Sequence, residues 1–146
     1  MNFQIKAFKH WQTEDGGGYQ FNLYLDGKKF AWVHNDGNGG CIDMTFADSD
    51  SSWKESEFKT IWDAYVKSLG HWVSSIDKAF IDHDTDTAIG ILVEDYEMAK
   101  SRKKGTLFRL KTDDERFGYR ILNVKDLDVA IPWLTNKFGA NQFEIV

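Results

Sequence analysis

The chain has 146 residues, of which 42% are hydrophobic and 28% charged, and it carries a formal charge of −5. A chain of that length buries roughly 70% of its unfolded surface as one domain, residues 1–146, and that composition excludes a disordered or collagen-like protein. The sign of the charge argues against a general nucleic-acid binder, which works by neutralising phosphates.

Residues 2–11 and 19–25 alternate as half-buried strands do, and Gly16-Gly17-Gly18 between them reads as a flexible turn. Asp26-Gly27 is a two-residue hairpin signal, after which Phe30, Trp32 and His34 are expected on one face of a third strand. Beyond the loop Asn35-Asp36-Gly37-Asn38-Gly39-Gly40, residues 41–46 alternate again, which completes a four-stranded antiparallel meander. From Asp50 the period changes. Phe58, Ile61, Trp62, Tyr65, Val66 and Leu69 form one helical face, with Ser51 or Ser52 as cap and Gly70 past the end. Residues 72–80 read equally as a short helix or a packed loop. Asp82, Asp84 and Asp86 open a second helix, in which Ile89, Leu92, Val93 and Tyr96 keep the period to about Lys103.

Residues 106–110 and 117–122 read as a second hairpin across the acidic turn Asp113-Asp114-Glu115. Residues 126–138 form a third helix ending at Gly139, with Pro132 expected near its start, and residues 142–146 a last strand. The fold class is therefore α+β: an antiparallel sheet made of the N-terminal meander and a C-terminal hairpin, with about three helices packed on one face. The element order expected is β-β-β-β-α-α-β-β-α-β. No apolar run approaches the ~18 residues of a membrane span, and Met1-Asn2-Phe3-Gln4 opens without a signal-type stretch, so the chain reads as cytoplasmic.

Chemistry-bearing residues are few. Cys41 is the only cysteine, so neither an internal disulfide nor a cysteine-cluster zinc site is available, and at a strand start it reads as a small buried side chain. His34, Asp36 and Asp43 would offer an imidazole and two carboxylates to a divalent metal, although Asn-Asp-Gly is also what a tight turn requires. Asp82, Asp84 and Asp86 imitate a calcium loop, but Thr87 stands where its glycine belongs and Val93 where its glutamate belongs, which leaves a helix cap. Both glycine clusters precede strands, unlike phosphate loops, and no cofactor is implied. Residues 98–111 contain Lys100, Arg102, Lys103, Lys104, Arg109 and Lys111 without an acid, so this stretch carries +6 and the rest −11. Arg109 with Lys103 and Lys104 suits a phosphate, and Tyr119 or Arg120 across the hairpin would complete a nucleotide site. The competing reading is a cross-strand ion pair of Arg109 with Asp113 or Glu115. Of the 22 aromatics, Trp32, Trp62, Tyr65, Trp72, Tyr96 and Trp133 adjoin expected core faces, whereas Trp11, Tyr19, Tyr24 and Trp53 are candidates for a partner-docking surface.

The segment Leu23-Tyr24-Leu25-Asp26-Gly27-Lys28-Lys29, then residues 35–40, Lys103-Lys104-Gly105-Thr106-Leu107-Phe108-Arg109-Leu110 and Lys137-Phe138-Gly139 resemble small accessory proteins encoded by tailed bacteriophages and prophages. The resemblance spans most of the chain and carries over no catalytic motif. It implies a binder that inhibits a host protein or sequesters a host immune nucleotide, in the host cytoplasm; the acidic excess favours a protein target, a defence protein or one that itself binds nucleic acid. Sequestration of a small phosphorylated nucleotide and metal-dependent hydrolysis are the alternatives. No direct contact with nucleic acid or membrane is expected, and a homodimer stays open.

Overall fold

In a computed structural model, residues 1–47, 55–74, 76–114 and 118–146 are described. They gather into two compact units, Met1–Val93 and Glu94–Val146, and the division falls within a helix. The expected cap at Ser51 or Ser52 lies outside the described residues.

The first unit opens with β1 (Phe3–Thr13), β2 (Gly16–Leu25), β3 (Lys28–Asn35) and β4 (Asp43–Phe46), an antiparallel meander in sequence order. Asp26 and Gly27 both have positive φ, 49° and 83°, as the expected hairpin turn demands. The glycine run is not a turn. Gly16, Gly17 and Gly18 are strand residues of β2, paired with Thr13, Gln12 and Trp11, and Glu14-Asp15 makes the bend instead. Helix α1 (Glu55–Ser68) covers the inner face of the sheet with the face read from its period: Phe58 and Trp62 join Phe21, Leu23, Leu25, Phe30, Ala31 and Val33 in the core. Phe3 meets Phe30, Trp62 and Tyr65 edge-on at 4.8–5.6 Å, a geometry that suits the aromatic quadrupole.

The two ends of the 72–80 segment are strands: β5 (His71–Val73) and β6 (Phe80–Asp82) pair as a hairpin, which adds two strands to the expected order. Helix α2 (Thr85–Arg102) follows, and its Ala88 and Ile89 complete the inner core. Asp84 caps it reciprocally with Thr87: the Asp84 carboxylate accepts from Thr87 N–H at 2.8 Å, while Asp84 N–H donates to the Thr87 hydroxyl at 2.9 Å. The Thr87 N–H, and after it the Thr87 hydroxyl at 2.9 Å, both donate to the Asp84 carboxylate and hold it below its ordinary pKa.

In the second unit, β7 (Thr106–Leu110) is central, flanked by β8 (Arg120–Leu122) and β9 (Phe143–Ile145), so the hairpin read from sequence gains a third strand. Leu107 and Phe108 are both buried although they point to opposite faces of the sheet. The Phe138 ring of α3 (Leu127–Phe138) lies 6.0 Å from that of Phe108. The helices thus serve two sheets rather than one face of a single sheet. Asp126 caps α3, and Pro132 sits in its interior instead of near its start. The helix tolerates it there because Pro132 and Asp128, whose carbonyl loses its partner, are both exposed to water. Among the described residues no helix is long and apolar enough to cross a membrane.

Candidate functional site

Strict alternation from Phe3 would put Trp11 inside with Phe3 and Ile5. It does not, because the β1–β2 register shifts between Lys6 and Lys9, where Ala7 takes a left-handed φ of 55°. Phe8 then turns inward, stacking at 6.1 Å on Phe21, and Trp11 turns outward. A second shift between Leu23 and Tyr24 leaves Phe30 as the extra residue on β3. Phe30 and Ala31 are therefore both fully buried, and Trp32 and His34 stand on the opposite face from Phe30 rather than beside it. Each bulge re-aims an aromatic from core to surface.

The outer face of the meander thus carries Trp11, Trp32 and His34 together. The Trp32 and His34 rings stack at 5.2 Å and 16°, and Trp11 lies 5.8 Å from His34. Trp32 remains 37% exposed. Trp11 is seated by the glycines: a Cβ on Gly18 would overlap its indole and stand 2.8 Å from the Asp36 carbonyl, to which Trp11 Nε1–H donates at 3.2 Å. The Thr13 hydroxyl bonds the Gly37 carbonyl at 2.7 Å and clamps the loop to the same end of the sheet. Carboxylates edge that end, with Asp43 directly opposite His34, Asp36 in the loop and Glu14-Asp15 in the bend, all exposed. At the other end Lys6 sits 4.4 Å over the Tyr24 ring, next to Lys28 and Lys29.

Of the four aromatics expected to dock a partner, Trp11 and Tyr24 share this face. Tyr19 points to the other side, half-buried and stacked with Phe8 and Phe21, and burial raises its hydroxyl pKa. Trp53 lies outside the described residues. Trp32, Trp72 and Trp133 are exposed rather than in the core; Trp62 is buried.

The basic strand is differently disposed from the nucleotide site expected. Arg109 and Arg120 stand on opposite faces of their sheet, since Arg120 pairs with Phe108 in register. Arg109 Nε–H donates to the Gly118 carbonyl at 2.6 Å, and its guanidinium lies 3.8 Å from Glu144, the residue opposite it on β9. The ion pair expected for it forms with this glutamate. Asp113 goes to Arg120, which grips it through Nε and Nη2 at 3.0 and 2.8 Å; those bonds and the Leu110 N–H hold its carboxyl below the ordinary value. Glu115 lies outside the described residues. The Tyr119 hydroxyl is 3.4 Å from that of Ser101, and Lys103 and Lys104 are exposed in the turn after α2.

Metal chemistry at His34, Asp36 and Asp43 is not supported by the geometry. Among the described residues no three of His, Cys, Asp and Glu gather as a metal ion requires, and the Asp36 carboxylate accepts from Asn38 N–H to shape its own turn. Cys41 is exposed, because β4 starts only at Asp43 and leaves Cys41 in the loop. Sequence reasoning missed a groove of about 570 Å³ lined by Asp63, Val66, Lys67, Gly70, His71, Asp82 and His83, in which His71 Nδ1 meets Asp82 at 2.8 Å. The signal for it was the alternation of His71 with Val73 and of Phe80 with Asp82, too short to read as strands. Searches of family models, curated proteins and solved structures find no match to the chain.

Proposed function

We propose that this chain is a binding protein that works without turnover, covering a basic surface of a host protein with the Trp11–His34–Trp32 end of its meander. The observation that carries the reading is the stacked, accessible Trp32 and His34 beside Trp11, edged by Glu14, Asp15, Asp36 and Asp43. An aromatic centre with a charged rim is how protein interfaces concentrate their binding energy. A partner arginine over an indole face contributes about 0.5–2 kcal/mol, and the carboxylates at the edge speed encounter with a positive surface and exclude a negative one. Charge favours the same partner: residues 1–93 hold fourteen Asp and Glu against eight Lys. The phage-type resemblance supplies the setting, in which the target is a host defence or nucleic-acid-associated protein.

The test is affinity capture from bacterial lysate with the wild-type chain and Trp32→Ala in parallel, followed by titration of the captured protein in purified form. The expected partner is basic, binds at least about thirtyfold more weakly to Trp32→Ala, and loses affinity as salt rises, less steeply for Asp43→Asn. Equal binding by the wild type and Trp32→Ala, or an acidic partner, refutes the reading.

A further inference from the structure

The hairpin β5–β6 presents apolar side chains to water. Val73 and Phe80 are directly opposite each other on one face, 52% and 76% exposed, and Ile76 at the turn is 94% exposed. Together they leave roughly 400 Å² of apolar surface in solvent, within the range of the largest patch on a monomer and close to the apolar share of one side of a standard interface. The turn holds this surface ready: Ser74 N–H bonds the Ala79 carbonyl at 2.9 Å, Lys78 N–H bonds the Ser74 carbonyl at 3.0 Å, and the Asp77 carboxylate folds back onto Ala79 N–H at 3.1 Å. Each strand has three residues and pairs on one side, and a two-stranded ribbon of that size is marginal in water by itself.

Exposed charged groups stand at both ends of the patch. At the tip Lys78 lies beside Asp77, one of whose oxygens is taken by the Ala79 N–H. At the base, Asp82 is held by His71 through one oxygen and is otherwise open, while the Asp63 carboxylate of the adjoining groove is taken by Lys59 at 2.7 Å, and Lys67 lines that groove beyond it. We propose that this hairpin is a self-association surface and that its occupant is the same hairpin of a second copy of the chain, related by a two-fold axis. The axis lays the tip of one hairpin on the base of the other, so Val73, Phe80 and Ile76 cover their counterparts and Lys78 meets Asp82 twice. A two-fold contact is reciprocal, so the pairing of the Lys78 end with the Asp82 end is made once by each copy.

Sedimentation equilibrium of the full chain, from about 1 to about 200 µM, reads the outcome. A reversible dimer is expected. Phe80→Asp should raise its dissociation constant at least about thirtyfold with an unchanged far-ultraviolet circular dichroism spectrum, since the side chain stands in water. Ile76→Ser should act in the same direction. Lys78→Glu should weaken the dimer, and adding Asp82→Lys should restore it, a rescue that only the crossed contact produces. A chain that stays monomeric throughout, a dimer indifferent to Phe80→Asp, or a failed rescue overturns the proposal. A monomer whose captured protein partner depends on Phe80 overturns it as well. Trp32→Ala should leave the dimer unchanged, which separates this surface from the proposed host-protein patch.

Discussion

Replacing Gly18 by alanine tests how the aromatic patch is built. The new methyl would run into the Trp11 indole and stand 2.8 Å from the Asp36 carbonyl. The indole can swing away, at the loss of its hydrogen bond to Asp36. The carbonyl cannot retreat as easily, because Thr13 ties the neighbouring Gly37 carbonyl down and Gly37 itself lies against Gly18, where a Cβ would stand 2.7 Å from the Gly18 nitrogen. Overpacking of this kind costs about 1–3 kcal/mol, and the lost hydrogen bond adds about 0.5–1.5, so Gly18→Ala should lower stability by about 2–4 kcal/mol. Gly17→Ala is the control: its nearest neighbour would be the Trp11 carbonyl at 3.8 Å, an ordinary contact, and it should change stability by less than about 1 kcal/mol. Urea unfolding followed by far-ultraviolet circular dichroism gives both values. In a Trp11→Ala background the indole clash disappears and the Asp36 contact remains, so the penalty of Gly18→Ala should fall by about 1–2 kcal/mol. Additive effects of the two substitutions, or a Gly18→Ala no worse than Gly17→Ala, would refute the seating of Trp11 on the glycines.

Asp84→Ala should destabilise the fold by about 1 kcal/mol through loss of the α2 cap, measured by thermal melting at neutral pH. Since the folded carboxyl titrates below its ordinary 3.8, the cap's contribution is complete above that value and is lost as pH falls through the lower folded one; the wild type and Asp84→Ala should therefore converge in strong acid. Pro132→Ala should stabilise the second unit by about 1–3 kcal/mol, because it returns a backbone donor to the Asp128 carbonyl in a helix interior. An unchanged or lower unfolding midpoint would show that α3 needs the ring.

Long periodic elements were legible in the sequence. The Phe58-to-Val66 stripe of α1, the Asp26-Gly27 turn and the return to strands at Thr106 each repeat one signal over many residues or concentrate it in a residue with positive φ. The β5–β6 hairpin was not legible, because three-residue strands give one alternation each, which a helix turn or a packed loop fits equally well. The third strand of the second sheet escaped for a different reason. Whether a terminal strand such as β9 pairs with β7 is settled by long-range register, Arg109 against Glu144, and nothing within five residues of either announces it.

The candidate site was half legible, and the missing half is physical. The sequence offers Trp11, Trp32 and His34 as residues that alternation sorts into faces, but alternation holds only while the ladder is regular. One extra residue at Ala7 and another at Phe30 reverse the sorting downstream of each, so Trp11 leaves the core and Trp32 parts from Phe30. Neither bulge carries a glycine. Ala7 takes its left-handed φ of 55° against its own preference, which costs of order 1–3 kcal/mol and is held by the surrounding sheet, where Phe8 gains Phe21 and Tyr19 as neighbours. Regular alternation would have left Phe8 in water and buried Trp11 in its place. The bulge thus exchanges the two, with the smaller ring in the core and the larger, with its N–H donor, at the surface. There the glycines of β2 receive it and the loop carbonyl of Asp36 accepts its hydrogen bond. The glycine run that reads as a flexible turn is the floor on which the half-buried indole lies.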